Sequence, residues 1–408
     1  MKKLLSLLMV LVFVMVSAVG CGTTATTTDT SAATTDTATD TTAATDATVA
    51  TDAATNTIKI GGIGPISGAA AVYGTAVQNG AQLAVDEINA NGGINGMTID
   101  FNFQDDEHDA EKSVNAYNTL KDWGMQLLMG TVTSTPCIAV ADLTNTDNMF
   151  QLTPSASAVA CTQYPNAFRV CFSDPMQGTA AAAYIGQNKL ATKVAVIYNS
   201  SDVYSSGIYE KFAAEAANQN FEIVSAEAFT DDSKTDFSVQ IQKAKDAGAE
   251  LVFLPIYYQE AALILSQAKS ANYAPLFFGC DGLDGILAQE GFDTSLAEGV
   301  MLLTPFAADA TDDLTVNFVK NYEAAYGETP NQFAADAYDA MYIIKTAAEK
   351  AAITSDMSAS DICDALKAAM PTITYDGVTG LGMTWTVDGE VNKAPKAIKI
   401  ENGVYVAM

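Results

Sequence analysis

From residue 58 onward the chain alternates short apolar runs with stretches in which apolar side chains recur every three or four residues. Ile58-Lys59-Ile60-Gly61-Gly62-Ile63 reads as a buried strand closed by glycines. Val77, Ala81, Ala84, Val85 and Ile88 then share one helical face, and Asn89-Ala90-Asn91-Gly92-Gly93 supplies residues that end a helix in the left-handed conformation. The pattern continues with a strand at 98–103, a helix at 110–123, a strand at 126–129, a helix at 136–143 and a strand at 149–152. A second series places strands at 194–198, 222–228, 251–254, 276–278 and 300–304, with helices at 207–219, 237–247 and 260–270. Helices at 314–325, 333–351 and 359–370 follow, and short strands near 383–386 and 397–400 close the chain. Strictly alternating strands and helices predict parallel sheets covered on both faces. The α/β series divides into two similar lobes, each of about 120–180 residues.

The start of the chain has a different pattern. Lys2 and Lys3 precede an apolar run at 4–16, followed by Ser17-Ala18-Val19-Gly20-Cys21. That order describes a secretory signal, and the run is short of the roughly 20 residues a spanning helix needs. Small residues ending at a cysteine resemble the lipobox of bacterial lipoproteins, which implies cleavage before Cys21 and lipidation of its thiol. Ala18 stands where leucine is commonest in that motif. Residues 22–57 hold 17 Thr, 10 Ala and 5 Asp and no aromatic side chain, so they bury too little to offset the entropy of ordering. They read as a disordered tether with a reach of roughly 30–36 Å. A long Thr-rich tether after a lipobox suggests the outer face of a Gram-positive cell membrane.

Composition narrows the function classes. Forty-eight acids against 20 bases give a net charge of −28, which repels phosphate backbones and disfavours nucleic acid as a partner. His108 is the single histidine and Arg169 the single arginine. That scarcity argues against a histidine-based triad, a multi-histidine metal centre or a paired-arginine phosphate clamp. Six cysteines without CxxC spacing are no zinc framework. Gly61-Gly62-Ile63-Gly64 misses the dinucleotide fingerprint, because Ser67 occupies the third glycine place. Asp105-Asp106-Glu107-His108-Asp109 reads as a strand end and a helix N-terminus rather than a metal site.

The segment Gly64-Pro65-Ile66-Ser67-Gly68, then Tyr73-Gly74, Asn79-Gly80 and Asp86-Glu87-Ile88-Asn89-Ala90-Asn91-Gly92-Gly93-Ile94-Asn95-Gly96, resembles the extracytoplasmic binding proteins of the leucine/isoleucine/valine-binding type. The resemblance runs from about Ile58 to the C-terminus. It implies the type I periplasmic binding fold: two Rossmann-like α/β lobes with parallel sheets, joined by three crossovers, with the ligand in the cleft between them. The corresponding boundaries are a signal peptide at 1–20, the tether at 21–57, lobe one at 58–174 and 306–382, and lobe two at 175–305 and 383–408.

The same resemblance assigns ligand-binding positions. In lobe one, Ser134 would hold a carboxylate at a helix N-terminus, where free amides and the dipole favour an anion. The loop Ser155, Ala156 and Ser157 would add a carbonyl and a hydroxyl, and Tyr73 would line the side-chain pocket. In lobe two, Tyr204 and Tyr257 would cover the ligand and Asp281 would take its ammonium. Cys137 and Cys161 follow two loops on one cleft edge and are expected to form a disulfide. Arg169 is expected to be structural. The implied function is amino-acid capture for an ABC importer, by a monomer without catalysis, cofactor or metal, working with a permease and ATPase. Alternatives are a sensor for a small amide or aromatic acid and, disfavoured, a Rossmann-like enzyme.

Overall fold

The computed structural model describes residues 56–408, which fall in one compact unit. The expected signal peptide, Cys21 and nearly all of the tether lie outside the described residues. The first strand starts at Thr57, one residue before the expected start.

Lobe one opens with β1 (Thr57–Gly64), α1 (Ala71–Ala90), β2 (Thr98–Asp105), α2 (Ala110–Trp123), β3 (Leu127–Gly130), α3 (Ser134–Asp147), β4 (Gln151–Thr153) and β5 (Ala167–Arg169). Its five strands are parallel in the order β2-β1-β3-β4-β5. The chain then enters lobe two through α4 (Asp174–Gln187), β6 (Lys193–Asn199), α5 (Val203–Ala216), β7 (Glu222–Phe229), α6 (Ser238–Asp246), β8 (Leu251–Leu254), α7 (Tyr258–Ser270), β9 (Leu276–Gly279) and β10 (Met301–Thr304). It returns to lobe one for α8 (Asp313–Tyr326), α9 (Gln332–Lys350), α10 (Ala359–Ala369) and the hairpin β11 (Tyr375–Gly377) and β12 (Gly380–Met383). Finally β13 (Lys396–Glu401) and β14 (Val404–Ala407) add an antiparallel edge to the second sheet, whose order is β14-β13-β10-β9-β8-β6-β7. The outcome is two α/β lobes with largely parallel sheets.

The third link differs from the expectation. Residues 384–393 stay on lobe one: Trp385 Nε1 donates to the Arg169 carbonyl at 2.8 Å, and the buried Lys393 pairs with Asp336 at 2.9 Å. The crossover therefore lies at 394–395, later than a boundary at 382. A buried ammonium needs a buried partner, and α9 supplies it.

Strand ends and helix starts point the same way in both lobes. In each parallel βα unit the strand's C-terminal end hands the chain to a helix N-terminus, so α3, α5 and α7 begin at the interlobe face, and α9, which follows α8, begins there too. The lobes are in contact there: the Gln332 side-chain amide of lobe one donates to the Asp281 carbonyl of lobe two at 2.8 Å.

Candidate functional site

Local caps set the side chains of the site. Asn331 caps α9 by accepting from the Ala334 amide, which fixes Gln332 and Phe333 in its first turn. Asp202 caps α5 through the amides of Tyr204 and Ser205, so Tyr204 is held against the cleft. Thr133 precedes α3, and its hydroxyl is bonded to His108 Nδ1 at 2.8 Å instead of closing the helix end. The first-turn amides of α3 have no intrahelical acceptor, and Pro136 carries none.

Seven of the eight expected ligand-binding residues converge on one cavity: Tyr73, Ser134, Ser155, Ser157, Tyr204, Tyr257 and Asp281. Val132, Thr133, Gly282 and Phe333 complete its wall around a nearly closed space, about 240 Å³ including its solvent-open mouth. Ala156 is the exception. Its amide is taken by Thr153 Oγ1 at 2.9 Å, and its methyl packs with Cys137, Ala158 and Cys161.

The two walls carry opposite polarity. On lobe one, Ser134 Oγ accepts from the Ala158 amide at 3.1 Å, which leaves its proton free to donate into the cavity. The Ser155 hydroxyl is committed to the Val132 carbonyl at 2.7 Å. On lobe two, Asp281 is 4% exposed and accepts a hydrogen bond from the Tyr204 hydroxyl at 2.7 Å. Burial pushes its carboxyl up to about 7, opposed by the bonds from Tyr204, Gln177 and Gly282. Among the described residues the two buried cations pair elsewhere, Arg169 with Glu390 and Lys393 with Asp336. A donor wall at a helix N-terminus thus faces a buried carboxylate without a cation.

Aromatic rings enclose the space between. Tyr204 and Tyr257 stack at 4.9 Å between centroids, and Tyr73 meets Tyr257 edge-on at 5.7 Å. Tyr73 also donates to the Gly282 carbonyl and accepts from the Tyr258 amide, so this lobe-one ring ties two lobe-two loops.

Sequence reasoning missed several contributors. His108 packs edge-on against Tyr257 at 5.3 Å across the cleft mouth, and burial pushes its imidazole down to about 4. Asp174 is buried, and neither carboxylate oxygen has a well-formed hydrogen bond, so burial raises it well above the usual carboxylate range; the Ser157 hydroxyl beside it opposes that rise. Phe333, an aromatic at the start of an alanine-rich helix, was the one legible signal of α9's role. Arg169 is structural and also bears on the site. Its guanidinium is fully buried and donates to the carbonyls of Ser157 and Ala158, to Thr162 Oγ1 and, at 3.2 Å, to Glu390. One cation therefore shapes the whole Ser155–Ser157 loop.

The expected Cys137–Cys161 disulfide is not formed; both are buried free thiols. The two thiols lie within hydrogen-bond reach of one another, and each sulfur has a further polar partner: Cys137 Sγ accepts from the Gln151 amide at 3.3 Å, and the Cys161 thiol donates to the Ser134 carbonyl at 3.7 Å. Among the described residues no group of acids, cysteines or histidine has metal-binding geometry, and His108 bonds Thr133 instead.

With this geometry in place, similarity to known proteins becomes informative. The periplasmic binding protein family model matches residues 57–403. The Leu/Ile/Val-binding protein homolog 3 of Brucella melitensis is 30% identical over 345 residues, covering 82% of this chain and 89% of that protein. The leucine-, isoleucine-, valine-, threonine- and alanine-binding protein of Pseudomonas aeruginosa is 28% identical, covering 76% of this chain and 82% of that protein. Among solved structures, the branched-chain amino acid transporter substrate binding protein LivJ of Streptococcus pneumoniae, in complex with isoleucine, superposes with a TM-score of 0.78 at 29% identity, covering 86% of this chain and 98% of that one.

Proposed function

Because the chain belongs to the periplasmic binding protein family, we propose that it is the extracytoplasmic solute-binding component of an ABC importer and captures a neutral, branched-chain α-amino acid. The observation that carries this is Asp281, a buried carboxylate facing the N-terminus of α3 across a small aromatic cavity. A zwitterion supplies what each wall lacks. Its carboxylate meets the α3 amides and the Ser134 hydroxyl, its ammonium meets Asp281, and Tyr73, Tyr204, Tyr257 and Phe333 surround its side chain. Each lobe holds one pole, so the ligand binds the closed arrangement better than the open one and shifts the population toward it. Charge-assisted hydrogen bonds with side-chain burial are enough for micromolar affinity, about −8 kcal/mol. The names of the relatives, which state binding of leucine, isoleucine and valine, support the ligand class.

No catalytic step is assigned, and the partners are a permease and its ATPase. Cys21 is the proposed lipid attachment site and residues 21–57 the tether, which together hold a monomeric binding body at the outer face of the membrane. Support for this part is the sequence alone: the apolar run, the small residues before Cys21 and the Thr-rich composition. Calorimetry of ligand-stripped protein against the twenty amino acids tests the main reading. Leucine, isoleucine or valine should bind in the micromolar range, and no binding below millimolar by any amino acid contradicts it. An aromatic acid or amide without an ammonium group would leave Asp281 buried without its cation, which disfavours that reading.

A further inference from the structure

A second, larger cavity lies along the seam between the lobes, on the far side of the same wall. That wall is two segments deep. In the first two turns of α1, Tyr73 faces the amino-acid cavity while Val72 and Ala76 face the seam. In the loop after β9, Asp281 faces the first cavity and Asp284 the second. The seam space is about 1780 Å³ including its solvent-open mouth, against about 240 Å³ on the same measure for the first cavity. Its walls are apolar: Val72, Leu287, Phe306, Val319, Ile398 and Val404 are among the lining residues. Its charges are of one sign. Asp284, Asp309, Glu323 and Glu328 line it, and no lysine, arginine or histidine does.

Asp284 is the informative group. It is 2% exposed, its Oδ2 accepts from the Gln332 amide at the start of α9 at 2.9 Å, and its Oδ1 has no hydrogen bond of good geometry. The Tyr405 hydroxyl stands beside the carboxyl and accepts from the Gly285 amide at 3.0 Å, which leaves its own proton to face Asp284. A buried carboxylate with no cation beside it is costly in its charged form, and one facing an apolar cavity of this size has room for a cation with a hydrocarbon body. We infer that the seam is a second binding site, selective for a small organic ammonium with an apolar body, whose charged end meets Asp284 and whose carbon chain lies between the lobes.

The site is placed to act on the first. Gln332 joins the two, its amide nitrogen on Asp284 and its side chain on the Asp281 carbonyl. An occupant touching α1 and α8 on one side and β13, β14 and the 284–288 loop on the other stabilises the closed arrangement. This coupling, unlike the binding itself, rests on the amino-acid reading above, and linkage makes it reciprocal.

The test is calorimetry on the full chain with n-hexylamine as the probe, with the first cavity saturated by leucine. Saturable binding of one equivalent with a dissociation constant below about 1 mM is expected. n-Hexanol, which lacks the charge, should bind at least about tenfold more weakly. Asp284→Asn should weaken hexylamine by at least about tenfold. Ala308→Trp, which fills the seam without touching the polar network, should abolish hexylamine binding in a protein that circular dichroism shows folded. Hexylamine should also tighten leucine about fivefold or more. Absence of saturable hexylamine binding, equal binding of hexanol, or unchanged binding in Ala308→Trp would overturn the site. Binding without any effect on leucine would overturn the coupling. If leucine itself does not bind, the same hexylamine titration on the unliganded chain still decides the seam site separately from the amino-acid reading.

Discussion

At the scale of single residues, the account turns on a carboxylate whose partner arrives with the ligand. Asp281 is held up to about 7 by burial. Binding an ammonium favours its ionised form, so the complex carries fewer protons than the free closed protein below that value. Affinity for the amino acid should therefore be flat above about pH 7 and fall as pH drops, by up to about tenfold per unit. Asp281→Asn should remove that dependence and cost about 2–5 kcal/mol of binding, both read by calorimetry across pH. Arg169 makes a different prediction. Replacing it by methionine leaves the Ser157 and Ala158 carbonyls and Glu390 without their cation. Thermal stability should fall by about 3–5 kcal/mol and ligand affinity should fall with it, whereas Arg169→Lys should restore part of each. Asp281 was singled out because the loop after β9 resembles the ammonium-binding loop of the family, with an Asx turn beside Gly282 as the plain alternative. Arg169's reach into the binding loop was not, because a strand residue's side-chain partners depend on which loop folds over it.

At the scale of elements, strand and helix placement followed the hydrophobic period closely where one face is buried. It failed where the buried face is built from small and polar residues. α4 has alanines on most sides, a proline in its first turn and glycines at 178 and 186, so no apolar stripe marks it. Those glycines admit close neighbours: a Cβ at Gly178 would lie 2.4 Å from the Ile208 carbonyl oxygen of α5. The α1–α9 contact is built alike, with a Cβ at Gly80 placed 2.1 Å from the Ala334 carbonyl oxygen. Gly80→Ala must push the two helices apart, at about 1–3 kcal/mol or more. Because α9 carries Gln332 and Phe333 into the cleft, the variant should lose ligand affinity as well as stability. A lowered melting temperature with unchanged affinity would show that the two are uncoupled. The third link was misplaced for a related reason. Residues 384–393 have little regular structure, and only the buried Lys393–Asp336 pair and the Trp385 bond reveal which lobe holds them.

At the scale of the whole molecule, two lobes of similar construction present unlike surfaces to one another. Lobe one offers helix amides and hydroxyls, and lobe two offers a buried acid. The resemblance and the order of elements made the two-lobe architecture readable in the sequence. The single-sign seam was not readable, because its residues come from distant segments that meet only when the lobes do. The central claim is that closure is held by both poles of one guest. It is tested most directly by titrating stripped protein with leucine and with 4-methylpentanoate, the same carbon skeleton and carboxylate without the ammonium. The account predicts micromolar leucine and at least about a hundredfold weaker 4-methylpentanoate. Equal affinity for the two would contradict it.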